Sequence, residues 1–213
     1  MNPVRDSGAL APRDIAPAVS NKINSGNTPT LPNKISDISN GVNHALTTGF
    51  SFGSTSGVIT TLGLMVGLHS GTHSKFAVLG GIITIAIADA FSDALGIHIS
   101  EESENKHTTA EIWMATVSTF IAKFVVALTF TIPVLLWDFS KTINIPGLLS
   151  VEFPIAIVVA IAWGLFLITT VSIRLAQKQG NKISRVVLEH LLIVILVIAT
   201  THYVGHWVAG FSE

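Results

Sequence analysis

Apolar and polar residues fall in long blocks along this chain. Ala45 to Leu68 carries no charged residue in 24 positions, and Phe153 to Ile173 carries none in 21. A helix of about 20 apolar residues crosses a bilayer core about 30 Å thick. Similar blocks cover 76–100, 112–136 and 186–208. The pattern predicts an all-α membrane protein with five transmembrane helices over about 45–68, 76–100, 112–136, 153–173 and 186–208, in a domain of residues 41–211. Residues 1–40 differ. They are rich in Pro, Ser, Asn and Gly and contain no aromatic residue. Such a segment buries too little apolar surface to offset its ordering entropy. It predicts a disordered N-terminal tail with a short helix near Ile35, and it lacks the basic start and apolar core of a secretory signal.

The second block, Phe76–Asn105, carries the chemistry. Asp89 lies 12 residues past Ala77, roughly 18 Å along a helix axis and so near mid-bilayer. Carboxylates at that depth are costly and tend to mark ion or proton paths. At about 100° per residue, Asp89, Asp93, Gly96, Ser100 and Glu104 share one stripe, with Glu101 beside it and Glu102 opposite. Carboxylate oxygens suit a hard divalent cation. The same stripe also suits a buried ion-pair network. Lys123, near the middle of the third block, needs a partner at that depth. Asp89 and Asp93 are the obvious ones, so Lys123 either holds the site together or fills it as an internal cation. Gly49, Gly53 and Gly57 are four apart, as are Gly63 and Gly67, the small-residue spacing of closely packed membrane helices. Ser56 and Thr60 add hydroxyls on the same helix. His202 and His206 stand one turn apart in the fifth block, with no third ligand spaced to join them locally.

Composition narrows the picture. The chain of 213 residues is 49% hydrophobic and only 12% charged, where a soluble domain averages about 25% charged. A net charge of −1 gives no basis for a nucleic-acid partner. The absence of cysteine excludes disulfides and thiolate metal sites. Arg174, Lys178, Lys182 and Arg185 form the most basic connection, which the positive-inside rule puts in the cytoplasm. Five spans then place the N-terminus inside, and the Glu-rich end of the second helix opens inward.

Ser56-Gly57-Val-Ile-Thr-Thr-Leu-Gly-Leu-Met65-Val-Gly67 and Gly80-Gly81-Ile-Ile-Thr-Ile-Ala-Ile-Ala-Asp89-Ala-Phe-Ser92 resemble the first- and second-helix motifs of the vacuolar iron transporter family. The resemblance spans roughly residues 45–210. It implies a five-helix homodimer that moves iron(II), sometimes manganese(II), out of the cytoplasm. The glycine-rich first helix would let two copies approach closely, with a pore between them. Asp89 takes the position of a family pore carboxylate. Ser56 stands where the family has an acidic residue, and Asp93 is placed to compensate. The family's long cytoplasmic metal-gathering domain shrinks here to Glu101, Glu102, Glu104, His107 and Glu111.

The function expected from these readings is exchange of iron(II) or manganese(II) for protons across a cell inner membrane. The metal is substrate. No resident cofactor and no catalysis are expected. Metal would pass from Glu101, Glu102 and Glu104 to Asp89 and Asp93, with Met65 as a further ligand and Ser56, Thr60 and Ser100 lining the path. Lys123 would ion-pair with the acids. Two alternatives stand beside this. One is a membrane-embedded metal-dependent hydrolase using Asp89, Asp93 and His202. The other is a structural membrane protein with a buried Lys–Asp pair. A polar cavity joining the acid pair to Glu101 would favour transport. Closure of both acids on Lys123 with no cavity favours the structural role, and convergence of His202 with the acid pair favours hydrolysis.

Overall fold

The computed structural model describes residues 31–145 and 151–211. Most of the expected tail, residues 1–30, lies outside the described residues. In order the elements are α1 (Leu31–Thr72), α2 (Lys75–Ser103), α3 (Thr109–Thr129), α4 (Thr131–Leu136), β1 (Thr142–Ile145), β2 (Val151–Pro154), α5 (Ile155–Gln179) and α6 (Ile183–Ala209). Among the described residues, five helical segments are long and apolar enough to cross a membrane: Ile38–Thr72, Lys75–Ser103, Thr109–Leu136, Ile155–Gln179 and Ile183–Ala209. This is an integral membrane protein, and its five spans lie in the compact unit Asp37–Glu213.

The ends of the helices follow from local chemistry. α1 runs longer than its uncharged core, starting at Leu31 and ending at Thr72. His73 then turns to φ 51°, and its N–H bonds back to the His69 carbonyl at 2.8 Å. Ser74 caps α2, its hydroxyl accepting from the Ala77 N–H at 3.3 Å. So tight a connection makes α1 and α2 antiparallel neighbours. At the other end of α2, Thr108 opens α3 through a reciprocal cap. Its hydroxyl accepts from the Glu111 N–H, and the Glu111 carboxylate accepts from the Thr108 N–H at 2.7 Å. Glu111, read from the sequence as part of the acidic connection, is spent on this cap. Thr108→Ala should therefore cost about 1 kcal/mol, seen as a lower midpoint in thermal unfolding followed by circular dichroism. An unchanged midpoint would mean that the cap contributes nothing.

The third span breaks once. Pro133 has no N–H to offer the Thr129 carbonyl four residues back, and its ring crowds that carbonyl. The chain responds with a tight turn at Phe130, whose N–H bonds to the Ala127 carbonyl at 3.1 Å. Thr129 is steadied from α5 by the Trp163 indole N–H at 3.0 Å. After α4 comes Asp138, outside the spans. Its carboxyl is held below the ordinary range by the hydroxyl and backbone N–H of Ser140.

An antiparallel hairpin then appears that the hydropathy pattern did not predict. β1 pairs with β2, Ile143 opposite Phe153. Pro154 explains why Phe153 is strand and not helix, since a residue before proline is pushed to extended backbone. The fourth span therefore starts at Ile155, not at Phe153.

α1 is the axis of the packing. A Cβ on Gly49, Gly53 or Gly57 would meet Ala115, Thr119 or Lys123 of α3, and one on Gly63, Gly67 or Gly71 would meet Val197, Thr201 or Gly205 of α6. Ser118 reinforces the first contact by donating to the Leu46 carbonyl at 2.8 Å. The glycine stripe therefore faces α3 and α6 of the same chain. α2 lies along α3, and α5 along α6. The core closes around Leu62, Met65, Ile82, Phe130 and Ile157, all fully buried.

Candidate functional site

The narrow buried stripe of α2 is Val78, Ile82, Ala86, Ala90 and Ala94. Asp89 and Asp93 sit one residue before two of those alanines, at the edge of the buried face. Small alanines bring α2 close to α3, and Gly57 brings α1 close to Lys123. Three helices therefore converge at one level inside the apolar spans, and each contributes polar side chains there.

Lys123 is the centre of the cluster and is 1% exposed. Its ammonium lies 2.5 Å from Asp89 Oδ2 and is in direct contact with Asp93 Oδ2. It also donates to Ser56 Oγ at 2.9 Å. Ser56 in turn donates to Asp93 Oδ2 at 2.6 Å. Asp93 is thus held by both a lysine and a serine. Asp89 Oδ2 is buried against the Lys123 ammonium, with no hydroxyl partner like the one Ser56 gives Asp93. By formal charge, with both acids ionised, the cluster carries one more negative charge than positive inside the apolar spans. The two carboxylate side chains are less buried than the lysine, with 25% and 19% of their surface exposed.

The other predicted residues lie apart from this centre. Thr60 donates to the Ser56 carbonyl at 3.0 Å and so stiffens the turn that carries the serine. Met65 is fully buried in the apolar core, nine residues beyond Ser56 and roughly 13 Å along α1. It packs there among apolar side chains, apart from the acid cluster. Ser100 is exposed. Glu101, eight residues past Asp93 and about 12 Å along α2, pairs with His107 at 3.2 Å. Glu102 is exposed, and Glu104 lies 3.6 Å from Lys106. Among the described residues, no three of His, Asp and Glu converge where one ion could touch all of them.

His202 lies far from the acid pair. Its Nδ1 is 2.6 Å from Ser70 Oγ, and Ser70 is 14 residues beyond Ser56, roughly 21 Å along α1. The geometry that a hydrolase on Asp89, Asp93 and His202 would need is not present. His190 makes the matching contact at the opposite end of α6, 2.6 Å from Ser172 of α5. Each histidine–serine pair ties α6 to a neighbour. The sequence showed the His202–His206 spacing but not the serine from another helix.

No protein-family model matches this chain, and neither does any curated protein or solved structure.

Proposed function

We propose that this protein is a membrane cation transporter in which Asp89 and Asp93 bind the transported ion and Lys123 is a tethered cation that fills the site between ions. The observation that carries this reading is the Lys123–Asp89–Asp93–Ser56 cluster inside three apolar spans. Its charge explains how exchange would run. With the ammonium in place, the one uncompensated negative charge suits a single proton. With the ammonium swung aside, two carboxylates match a divalent ion. Binding of that ion releases bound protons, which couples the two fluxes. Iron(II) and manganese(II) are the proposed substrates, moved out of the cytoplasm. This rests on the hard oxygen donors and on the resemblance of residues 56–67 and 80–92 to vacuolar iron transporters. The same resemblance supports a homodimer, the basic connection from Arg174 to Arg185 supports an inside N-terminus, and a cell inner membrane is the proposed location. The dimer would have to use surfaces other than the α1 glycines.

The test is metal uptake into proteoliposomes by wild type, Asp89→Asn and Asp93→Asn, read with a metal-sensitive dye inside and a pH dye outside. Each substitution removes a charge-assisted contact of about 1.5–3 kcal/mol, so flux should fall at least about tenfold. Equal flux in all three proteins would sink the mechanism. One observation favours a second reading, a purely structural clasp: both acids close on a lysine that is itself buried. Under that reading wild type carries no more metal than protein-free liposomes, and the variants differ only in stability.

A further inference from the structure

A groove of about 430 Å³ runs between α1 and α5, bounded on one side by Val126 of α3. Its floor is apolar, built from Val58, Val126 and Leu167. Arg174 and Lys178 stand at its mouth, both exposed, and among the described residues neither has an ion-pair partner. Leu167 and Lys178 are eleven residues apart on α5, which is roughly 16 Å of axis. That is about half of a hydrocarbon core about 30 Å thick, or one leaflet. Below the cations Ser54 lines the groove. It is 1% exposed, and its hydroxyl has no hydrogen-bond partner. A helical serine can satisfy itself on the carbonyl one turn back; on α1 Ser54 and Thr61 do not, and of the two only Ser54 lines the groove.

We propose that this groove is a binding site for one anionic phospholipid. An acyl chain fills the apolar slot along α1 and α5. The phosphate sits between Arg174 and Lys178, as expected of basic pockets between membrane helices. The Ser54 hydroxyl donates to a glycerol ester oxygen below the phosphate. The depth of the groove, the two unpaired cations at its mouth and the orphaned hydroxyl inside it all fit that one molecule. A soluble phosphate would use the cations and leave the slot and Ser54 unfilled.

The test uses the full chain, stripped of lipid in a neutral detergent and titrated with phosphatidylglycerol, phosphatidylcholine or glycerol phosphate. Bound lipid is counted by native mass spectrometry. One phosphatidylglycerol should bind in preference to phosphatidylcholine. Arg174→Gln or Lys178→Gln should weaken it about fivefold each, and the double variant roughly thirty-fold. Arg174→Lys should retain most of the binding. Ser54→Phe, which fills the slot, should lower occupancy by both lipids. Lys182→Gln removes a charge from the same connection but outside the groove, and should change binding less than about twofold. Three results would each overturn the proposal. They are equal binding of the two lipids, equal weakening by Lys182→Gln and Arg174→Gln, and glycerol phosphate binding as tightly as phosphatidylglycerol.

Discussion

Lys123→Met should lower stability by about 3 kcal/mol, the lower end of what removal of one partner from a buried pair costs. The low end applies because Ser56 still donates to Asp93 when the ammonium is gone. The methionine matches the stem in length, so packing against Gly57 changes little. What changes is charge. Two carboxylates then face each other beside Ser56, with no cation between them. For a chain of this size the loss corresponds to roughly 10 °C in the unfolding midpoint, readable from tryptophan fluorescence in detergent. Adding Asp93→Asn should return at least half of it, because one acid and no lysine is a smaller imbalance than two acids. A midpoint unchanged by Lys123→Met would show that the ammonium is not what neutralises the pair. The single variant also probes the transport reading. Without its tethered cation the site should bind manganese(II) more tightly than wild type, whereas a structural clasp should simply weaken.

Gly53→Leu should prevent assembly of the bundle. An added Cβ at Gly53 would lie 2.4 Å from the Thr119 carbonyl oxygen. That oxygen is backbone and cannot rotate away, so α1 and α3 must separate along their length. Overpacking of this kind costs about 1–3 kcal/mol even for small additions, and a leucine exceeds that range. Separation would also draw Ser56 from Lys123 and loosen the acid cluster. Gly80→Ala is the matched control, since nothing lies within 4 Å of the position its Cβ would take. It should be neutral or stabilise by about 0.5–1 kcal/mol, the helical preference of alanine over glycine. The yield of monodisperse protein from membranes decides between them. Normal yield for Gly53→Leu would mean that α1 and α3 are not in contact there.

The sequence announced the spans because hydropathy is a property of each segment alone. Mid-span Lys123 and the Asp89–Asp93 pair were legible for a related reason: a charge in an apolar block demands a partner, and few were on offer. Partners of uncharged groups were not legible. The glycine spacing of α1 says that some helix comes close, and only the structure shows α3 beside one half and α6 beside the other. Ser70 and Ser172 carry no signal that they meet His202 and His190, because a hydroxyl in a span satisfies itself on its own helix as readily as on a neighbour. The hairpin escaped because its strands are four residues each, too short for alternation to stand out. Met65 reads two ways from sequence, as a soft ligand or as core filling, and the structure adds that it is fully buried among apolar side chains.

The division of α1 between two partners has a consequence for how the chain is made. Membrane helices insert first and associate afterwards. α1 leaves the insertion machinery with both of its glycine surfaces empty. The surface at Gly49–Gly57 is covered once α3 has followed. The surface at Gly63–Gly71 waits for α6, the last of the five spans to be synthesised. α6 buries few residues of its own, Val194 and Gly205, and is held by the close glycine contacts to α1, by packing along α5 and by the two histidine–serine contacts. Docking of α6 on α1 is therefore the late step of biogenesis. A ribosome stalled before it would leave a nascent chain whose first helix still presents an open, adhesive flank to other proteins in the membrane.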